Sequence, residues 1–469
     1  MTAIQSKPSF AARQRPGIEP TTPHHADAGN CSQAPQAAAP DSGTHGPCVG
    51  PEPYHPLLCE TYGAAGIPDT LAESLVLKYL LAHGVDTGRS ISRTLCLPGK
   101  STMELLTDLK GRQLLVYKNQ AAMGDFEYTL TDAGRALANR YIDECAYCGP
   151  APVPLKAYID SVHAQTIKQE NPGPTELREA FSDLLINDAM IERLGPAINS
   201  GKGLFLFGFP GNGKTSIAER ITNSFGTPIW IPFTILVDGE IIQLFDPQNH
   251  EPIGTPGMSI VKGETYDPRW IKIRRPTIMV GGELRMSALE LRHDPNTKIT
   301  EAPLQLKSNC GTLVIDDFGR QTMNPDELLN RWIVPLEKRY DYLALNSGKK
   351  MQVPFDQLIV FSTNLEPKEL VDDAFLRRIP YKINIVDPTE AEFRKLFRIM
   401  AEQYGMAMDE AALEHLIEHH YRVKQRPFRS CQPRDLLMQI IDRARFLDIE
   451  PVMSADGFDI ACENYFTLI

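Results

Sequence analysis

The chain has 469 residues, 42% hydrophobic and 23% charged, enough for about two or three domains with cores of ordinary size. Its 48 Lys and Arg against 59 Asp and Glu leave a formal charge of -11, which excludes a uniformly basic nucleic-acid coat but not a local basic patch. The nine cysteines are scattered, no apolar leader opens the chain, and no run approaches roughly 18 apolar residues; the expectation is a cytoplasmic protein with no disulfide framework and no membrane insertion.

Residues 1–60 are a tail rich in Pro, Ala, Gly, Ser, Thr, Gln and His, without apolar periodicity. Such a segment buries too little surface to offset its ordering entropy. It is expected to be disordered, with His24, His25, His45 and His55 solvated rather than bound to metal. Residues 61–145 read as a small α+β domain. Residues 71–83 carry the apolar period of a helix and 91–97 that of a shorter one. A third helix is expected over 101–111, with Ser101 as N-cap and Glu104 completing a capping box. Residues 114–117 and 126–130 are β-rich runs around a polar turn, a hairpin signal, and 131–141 close as a helix. This layout, with Tyr128-Thr129-Leu130-Thr131-Asp132-Ala133-Gly134-Arg135 at the junction of hairpin and helix, resembles a winged helix-turn-helix. The cations Arg89, Arg93, Lys100, Lys110, Arg112 and Lys118 suit phosphate contacts, yet the domain as a whole is close to neutral. DNA binding and protein binding both stay open for residues 61–145.

Next comes Cys145-Ala146-Tyr147-Cys148, followed by Gly149-Pro150-Ala151-Pro152-Val153-Pro154. A single CxxC lacks the second ligand pair of a zinc site, and the prolines predict a semi-rigid linker over 146–175. From 176 onward strands alternate with helices. The runs 204–207, 313–315 and 358–361 are continuously apolar, the sign of a parallel sheet covered on both faces. A β-rich insertion is expected at about 228–300, around the turn Asp238-Gly239. Residues 342–345 and 350–353 flank Asn346-Ser347-Gly348, a hairpin signal just ahead of the third apolar run. Residues 388–469 contain only helical patterns.

Chemistry concentrates at the ends of the apolar runs. Gly208-Phe209-Pro210-Gly211-Asn212-Gly213-Lys214-Thr215 fits G-x-x-x-x-G-K-[ST], between a strand and a helix expected over 216–224. Glycines let backbone N–H groups curl into an anion nest, and the following helix start, with Ser216, adds partial positive charge. Lys214 supplies a cation to the β- and γ-phosphates and the Thr215 hydroxyl a ligand to Mg2+. ATP is therefore the expected ligand. Asp316 and Asp317 follow the second run. Asp316 is positioned for Mg2+, and Asp317 is positioned to orient or deprotonate the attacking water. Asn364 ends the third run, where an amide can reach the γ-phosphate or the water.

Downstream stand Asp373-Ala374-Phe375-Leu376-Arg377-Arg378 and Gln432-Pro433-Arg434-Asp435. In that order, these segments resemble the AAA+ ATPases, over about 180–450. The fold implied is an α/β P-loop NTPase, a parallel sheet flanked by helices, spanning 176–387 and carrying a C-terminal helical lid at 388–469. With it go the winged-helix-like N-terminal domain and the disordered tail. The resemblance implies that Asn364 is sensor 1, that Arg377 or Arg378 is an arginine finger reaching a neighbouring subunit's ATP, and that Arg434 is sensor 2. It also implies a homo-oligomer in the form of a ring, acting on a protein client that the sequence does not identify. The hairpin at 342–353 looks like the pre-sensor-1 hairpin of one AAA+ branch. Asp317 departs from the many members that carry Glu there, being one methylene shorter. Three readings follow: Mg-dependent ATP hydrolysis that remodels a protein partner; a DNA-directed ATPase or regulator targeted by residues 61–145; or, were hydrolysis absent, a nucleotide-gated scaffold.

Overall fold

Five short strands form the central sheet of the computed structural model, which describes residues 54–254 and 266–466. Their spatial order is Thr277–Val280, Thr312–Ile315, Leu358–Thr363, Leu204–Phe207 and Tyr381–Asn384, and every pairing is parallel. Alternate side chains point to opposite faces of a strand. Phe205, Leu313, Ile315, Ile359 and Phe361 share one core with Leu328, Leu329 and Trp332 of the helix Pro325–Lys338. Leu204, Leu206, Val314, Leu358 and Val360 share the opposite core with Ile191 and Leu194 of Asp188–Asn199 and with Ile217 of Lys214–Arg220. Double coverage is why these strands read as unbroken apolar runs.

The two outer strands were not legible. Tyr381–Asn384 is only partly buried. Thr277–Val280 lies inside the stretch assigned to the insertion, so the expected boundaries 228–300 need correction: the chain leaves the central sheet, returns for Thr277–Val280, and leaves again before Thr312. The excursions build a second layer. Its mixed sheet runs Arg292–His293, Thr300–Glu301, Glu240–Gln243, Thr234–Val237, Val153–Pro154, beside an antiparallel ribbon of Ile229–Pro232 and Trp270–Ile273.

The expected linker at 146–175 is a further correction. Val153–Pro154 is an edge strand of that second sheet, a position where proline removes no needed donor. The helix Leu155–Ala164 that follows buries Tyr158 and Val162 beside Ile235, Ile242 and Leu306. The hairpin Tyr340–Ala344 and Lys350–Pro354 packs Leu343, Met351 and Val353 into the same core. At its tip, the backbone N–H groups of Asn346 and Ser347 donate to the Glu240 carboxylate at 3.2 and 3.0 Å.

Ahead of this layer, helices Asp69–His83, Gly88–Thr94, Gly99–Gly111 and Asp132–Glu144 surround an antiparallel sheet ordered Val85–Thr87, Phe126–Leu130, Leu115–Gln120. Ser101 is not an N-cap: the helix begins two residues earlier, after Pro98, and no side chain caps it. Thr131 does cap the last helix, accepting from the Gly134 N–H at 3.0 Å. A Cβ on Gly134 would lie 2.1 Å from the Leu114 carbonyl oxygen, so only glycine lets helix and strand approach so closely. The expected tail shortens as well. Its part over 1–53 lies outside the described residues, but Tyr54 packs edge-on to Trp270 at 5.9 Å and the Asp267 N–H donates to Pro56 O at 3.0 Å.

After the central sheet come the helices Glu390–Gln403, Glu410–Leu416, Gln432–Leu447 and Ala455–Phe466. They enclose a core of their own that includes Phe393, Phe397, Leu413, Leu436 and Phe458. Among the described residues no helix is long and apolar enough to cross a membrane.

Arg275 ties several of these parts together. Its guanidinium, 4% exposed, pairs with Glu170 at 2.7 Å and donates to the carbonyls of Gln165, Cys310 and Thr227 at 2.8–2.9 Å. Arg275→Met strands the Glu170 carboxylate and three carbonyls, and removing one partner of a buried pair costs about 3–5 kcal/mol. A fall of that size in unfolding free energy is expected from urea denaturation of the full chain.

Candidate functional site

The three inner strands of the central sheet end at one edge, and parallel pairing sets their ends level. Thr363 lies beside Phe207, and Ile315 beside Phe361. The polar segments that follow therefore emerge side by side, although Lys214 and Asn364 are 150 residues apart in the chain.

The loop 208–213 turns back over the strand end through positive φ at Gly208, Gly211 and Gly213 (134°, 84° and 82°), with Pro210 exposed at its crest. Gly211 has a second constraint: a Cβ there would meet Cys431 Sγ at 2.6 Å. The helix after the loop begins at Lys214 rather than Ser216 and passes into a 3-10 turn at Ile221. Its first N–H groups lack intrahelical acceptors, and Thr215 and Ser216 belong to that first turn.

Lys214 is buried, 6% exposed. Its Nζ donates to Gly208 O and Phe209 O at 2.9 Å each and to Asn364 Oδ1 at 2.7 Å. Burial is the main cause lowering its pKa, while the charges of Asp316 and Asp317 oppose that shift. The Thr215 hydroxyl donates to Asp316 Oδ2 at 2.9 Å. Asn364 Nδ2 donates to Asp317 Oδ1 at 3.2 Å. Asp317 itself has φ 48°, a left-handed conformation that Asp tolerates better than most residues. The bend lets the Phe318 N–H return to Ser362 O at 2.8 Å and leaves the Asp317 side chain exposed. Lys214, Thr215, Asp316, Asp317 and Asn364 thus meet at one sheet edge, joined by hydrogen bonds. A glycine-lined backbone loop, a desolvated ammonium, a hydroxyl beside a carboxylate and an exposed carboxylate beside an amide make a set suited to holding and hydrolysing a polyphosphate.

Three further residues clasp the loop. Asn212 Nδ2 donates to Asp387 Oδ1 at 2.6 Å, and Asn212 Oδ1 accepts from the Ser430 N–H at 3.3 Å. The same Asp387 oxygen pairs with Arg429, whose guanidinium carbon lies 4.4 Å from the centroid of the Phe209 ring. The Cys431 N–H donates to Gly211 O at 2.9 Å. Asp387, Arg429 and Cys431 were not singled out from the sequence. Asp387 follows an outer strand with no apolar run, and Arg429 sits in the irregular stretch Arg426-Pro427-Phe428-Arg429; no spacing marks either one. By contrast Arg434 is 61% exposed and pairs with its neighbour Asp435 at 2.9 Å. Arg377 is exposed, and Arg378 lies 3.5 Å from Glu337.

A family model described as "Domain of unknown function (DUF8689)" matches residues 389–464, the C-terminal helices. No curated protein matches the chain. Among solved structures, NtrX from Brucella abortus aligns at 15% identity with a TM-score of 0.37, over 60% of this chain and 56% of that one. The RuvB Holliday junction branch migration motor of Thermotoga maritima aligns at 15% identity with a TM-score of 0.34, over 62% of this chain and 73% of that one. Likeness this distant carries no inference about activity.

Because Asp387 bridges Asn212 and Arg429, Arg429→Ala is expected to loosen the loop from the helical region. Hydrogen exchange at 208–213 and 428–431 should quicken, while the central strands keep their protection.

Proposed function

We propose that the chain binds ATP with Mg2+ and hydrolyses it as an oligomeric ATPase of the AAA+ type, remodelling a protein partner. The observation that carries this reading is the joint approach of Lys214 and Thr215 to Asn364 and Asp316, contacts of 2.7 and 2.9 Å between segments that share only the sheet edge. In this reading the loop N–H groups and Lys214 hold the phosphates. Thr215 and Asp316 offer the hard oxygen ligands that Mg2+ takes, and the ion when bound would neutralise phosphate charge. Asp317 orients and accepts a proton from the attacking water, and Asn364, already bonded to Asp317, fixes its direction. Arg429 of the helical lid stacks on Phe209 of the loop and pairs with Asp387, while Arg434 pairs with Asp435, so Arg429 is assigned the sensor 2 part. Arg378, at the end of the short helix Asp373–Leu376, is the cation assigned to the next subunit's ATP. The parallel sheet order and the hairpin ahead of Leu358–Thr363 are consistent with this assignment.

ATP binding and phosphate release by purified protein test it. Lys214→Ala should abolish binding. Asp317→Asn should bind normally and turn over at least about a hundredfold slower, as loss of a general base does. Arg378→Ala should bind but not hydrolyse, and mixing it with Lys214→Ala should restore part of the activity, since each supplies what the other lacks across a subunit boundary. Normal hydrolysis by Asp317→Asn would remove the assignment of the water-activating group.

A second reading, DNA targeting by residues 61–145, is favoured by one feature. An open groove of about 670 Å³ is lined by Arg89, Arg93, Lys100, Thr107, Tyr117 and Tyr128, and Lys110 Nζ sits 3.8 Å from the centroid of the Tyr117 ring. The helix–strand–helix–helix–hairpin order supports the winged-helix assignment. If the groove binds duplex DNA, Arg93→Ala and Lys100→Ala in the full chain should each lower the slope of log affinity against log salt by about one. No retention of duplex at low salt would remove the reading.

A further inference from the structure

Outside the phosphate loop, three side chains of the C-terminal helical region converge. His415 Nε2 lies 2.9 Å and His420 Nε2 2.6 Å from the same Asp459 Oδ1, and one ligand atom from each of the three residues falls within 4.8 Å of the others. The backbone explains the meeting. His415 lies near the end of the helix Glu410–Leu416, and the chain then makes a π turn over Ile417–Arg422. In an α-helix, residues five apart point about 140° away from one another. A π turn, with its i→i+5 hydrogen bonds, returns them to one face, and such turns are rare and concentrate at functional sites.

Asp459 comes from another element, the helix Ala455–Phe466, whose Phe458 and Cys462 share one core with Leu416 and with Ile417 at the start of the π turn. The ring of one histidine and the backbone of the other are held by neighbours. The His419 ring stacks on His415 at 4.2 Å, and Arg426 donates to the His420 carbonyl at 3.3 Å. The three side chains are 28%, 16% and 43% exposed, so the mouth of the cluster faces water while the helices behind it are packed. Hydrogen bonds from the imidazoles, His420 foremost, hold the Asp459 carboxyl below the usual carboxylate range.

Two imidazole nitrogens and one carboxylate oxygen match the donor set of three-ligand zinc sites that keep a water in the fourth position. Imidazole also selects Zn2+, Cu2+ or Ni2+ over Mg2+ and Ca2+. We propose that His415, His420 and Asp459 bind one divalent transition-metal ion, Zn2+, which pins the last helix to the π turn. The site is independent of the phosphate loop and of the ATPase reading. Its structural consequence is a clamp on the helical region, between two elements that otherwise meet through apolar packing.

The test uses the full chain, freed of metal by a chelator and kept without nucleotide. Co2+ serves as the spectroscopic probe and Zn2+ as its competitor. Expected for the wild type are one saturable equivalent, visible absorption of tetrahedral type without a thiolate charge-transfer band, displacement by Zn2+ and a rise in Tm with Zn2+. His420→Gln and the near-isosteric Asp459→Asn should each weaken binding by at least about tenfold, the lower end of what loss of a group behind a metal ligand produces, and should lose the Tm response. Asp316→Asn should titrate as the wild type does, and circular dichroism checks that every variant is folded. No saturable Co2+ binding by the wild type, a thiolate band, or wild-type affinity in both His420→Gln and Asp459→Asn would each overturn the proposal and leave plain histidine–carboxylate hydrogen bonding.

Discussion

Backbone pairing among Thr312–Ile315, Leu358–Thr363 and Leu204–Phe207 allows no change of register once both faces of the sheet are buried. A slip of one residue would move Phe205 and Phe361 from one core into the other, and both are fully buried. The same constraint levels the strand ends. Polar groups cannot follow apolar strands into a covered interior without losing hydrogen bonds, so they collect where the strands stop. The loop 208–213, Asp316, Asp317 and Asn364 are neighbours for this reason and need no local sequence relation to each other.

The second layer depends on the first through buried charge as much as through apolar contact. Arg275 joins Glu170 and the carbonyls of Gln165, Thr227 and Cys310, from three separate stretches of chain. Arg269, 3% exposed, pairs with Asp267 and also donates to Ala65 O and Pro152 O, which fastens the N-terminal helices to the ribbon. Lys307 is held between Asp246 and Glu301 at 2.8 and 2.6 Å. Such pairs do not make the fold much more stable than apolar residues would, but a wrong arrangement would leave a charge buried alone. The hairpin at 340–354 is locked into this layer by Glu240 at its tip and by Leu343, Met351 and Val353 in the shared core. Any displacement of the hairpin therefore carries the second sheet with it or breaks those contacts.

The C-terminal helices stand in a different relation to the site. They own a core and meet the phosphate loop through a few polar contacts, with Asp387 shared between Asn212 and Arg429 and the backbone of Cys431 bonded to Gly211. Regions joined by few buried apolar contacts separate at low free-energy cost. The loop and the helical region are thus coupled through the Asp387 carboxylate, two backbone N–H bonds from Ser430 and Cys431, and the Arg429–Phe209 stack.

Local chemistry was readable from the chain itself. The apolar runs announced the inner strands because double burial demands apolar residues at every position. The glycine spacing with Lys214 and Thr215 announced the loop because backbone at φ 82–134° strongly favours glycine. Asn346-Ser347-Gly348 between β-rich runs announced the hairpin because its turn geometry is a property of a few residues. Other features depended on what each segment meets. Pro154 read as a linker residue until an edge strand gave it a place. Ser101 looked like a cap until the helix began before it. Tyr54 looked like tail until Trp270 covered it. Asp387 and Arg429, and the π turn that brings His415 and His420 onto Asp459, carry no local pattern. Dihedral preference and apolar period act over a few neighbouring residues and are written in the sequence. Pairings between distant residues are set by how separate cores stack, and only the folded chain decides those.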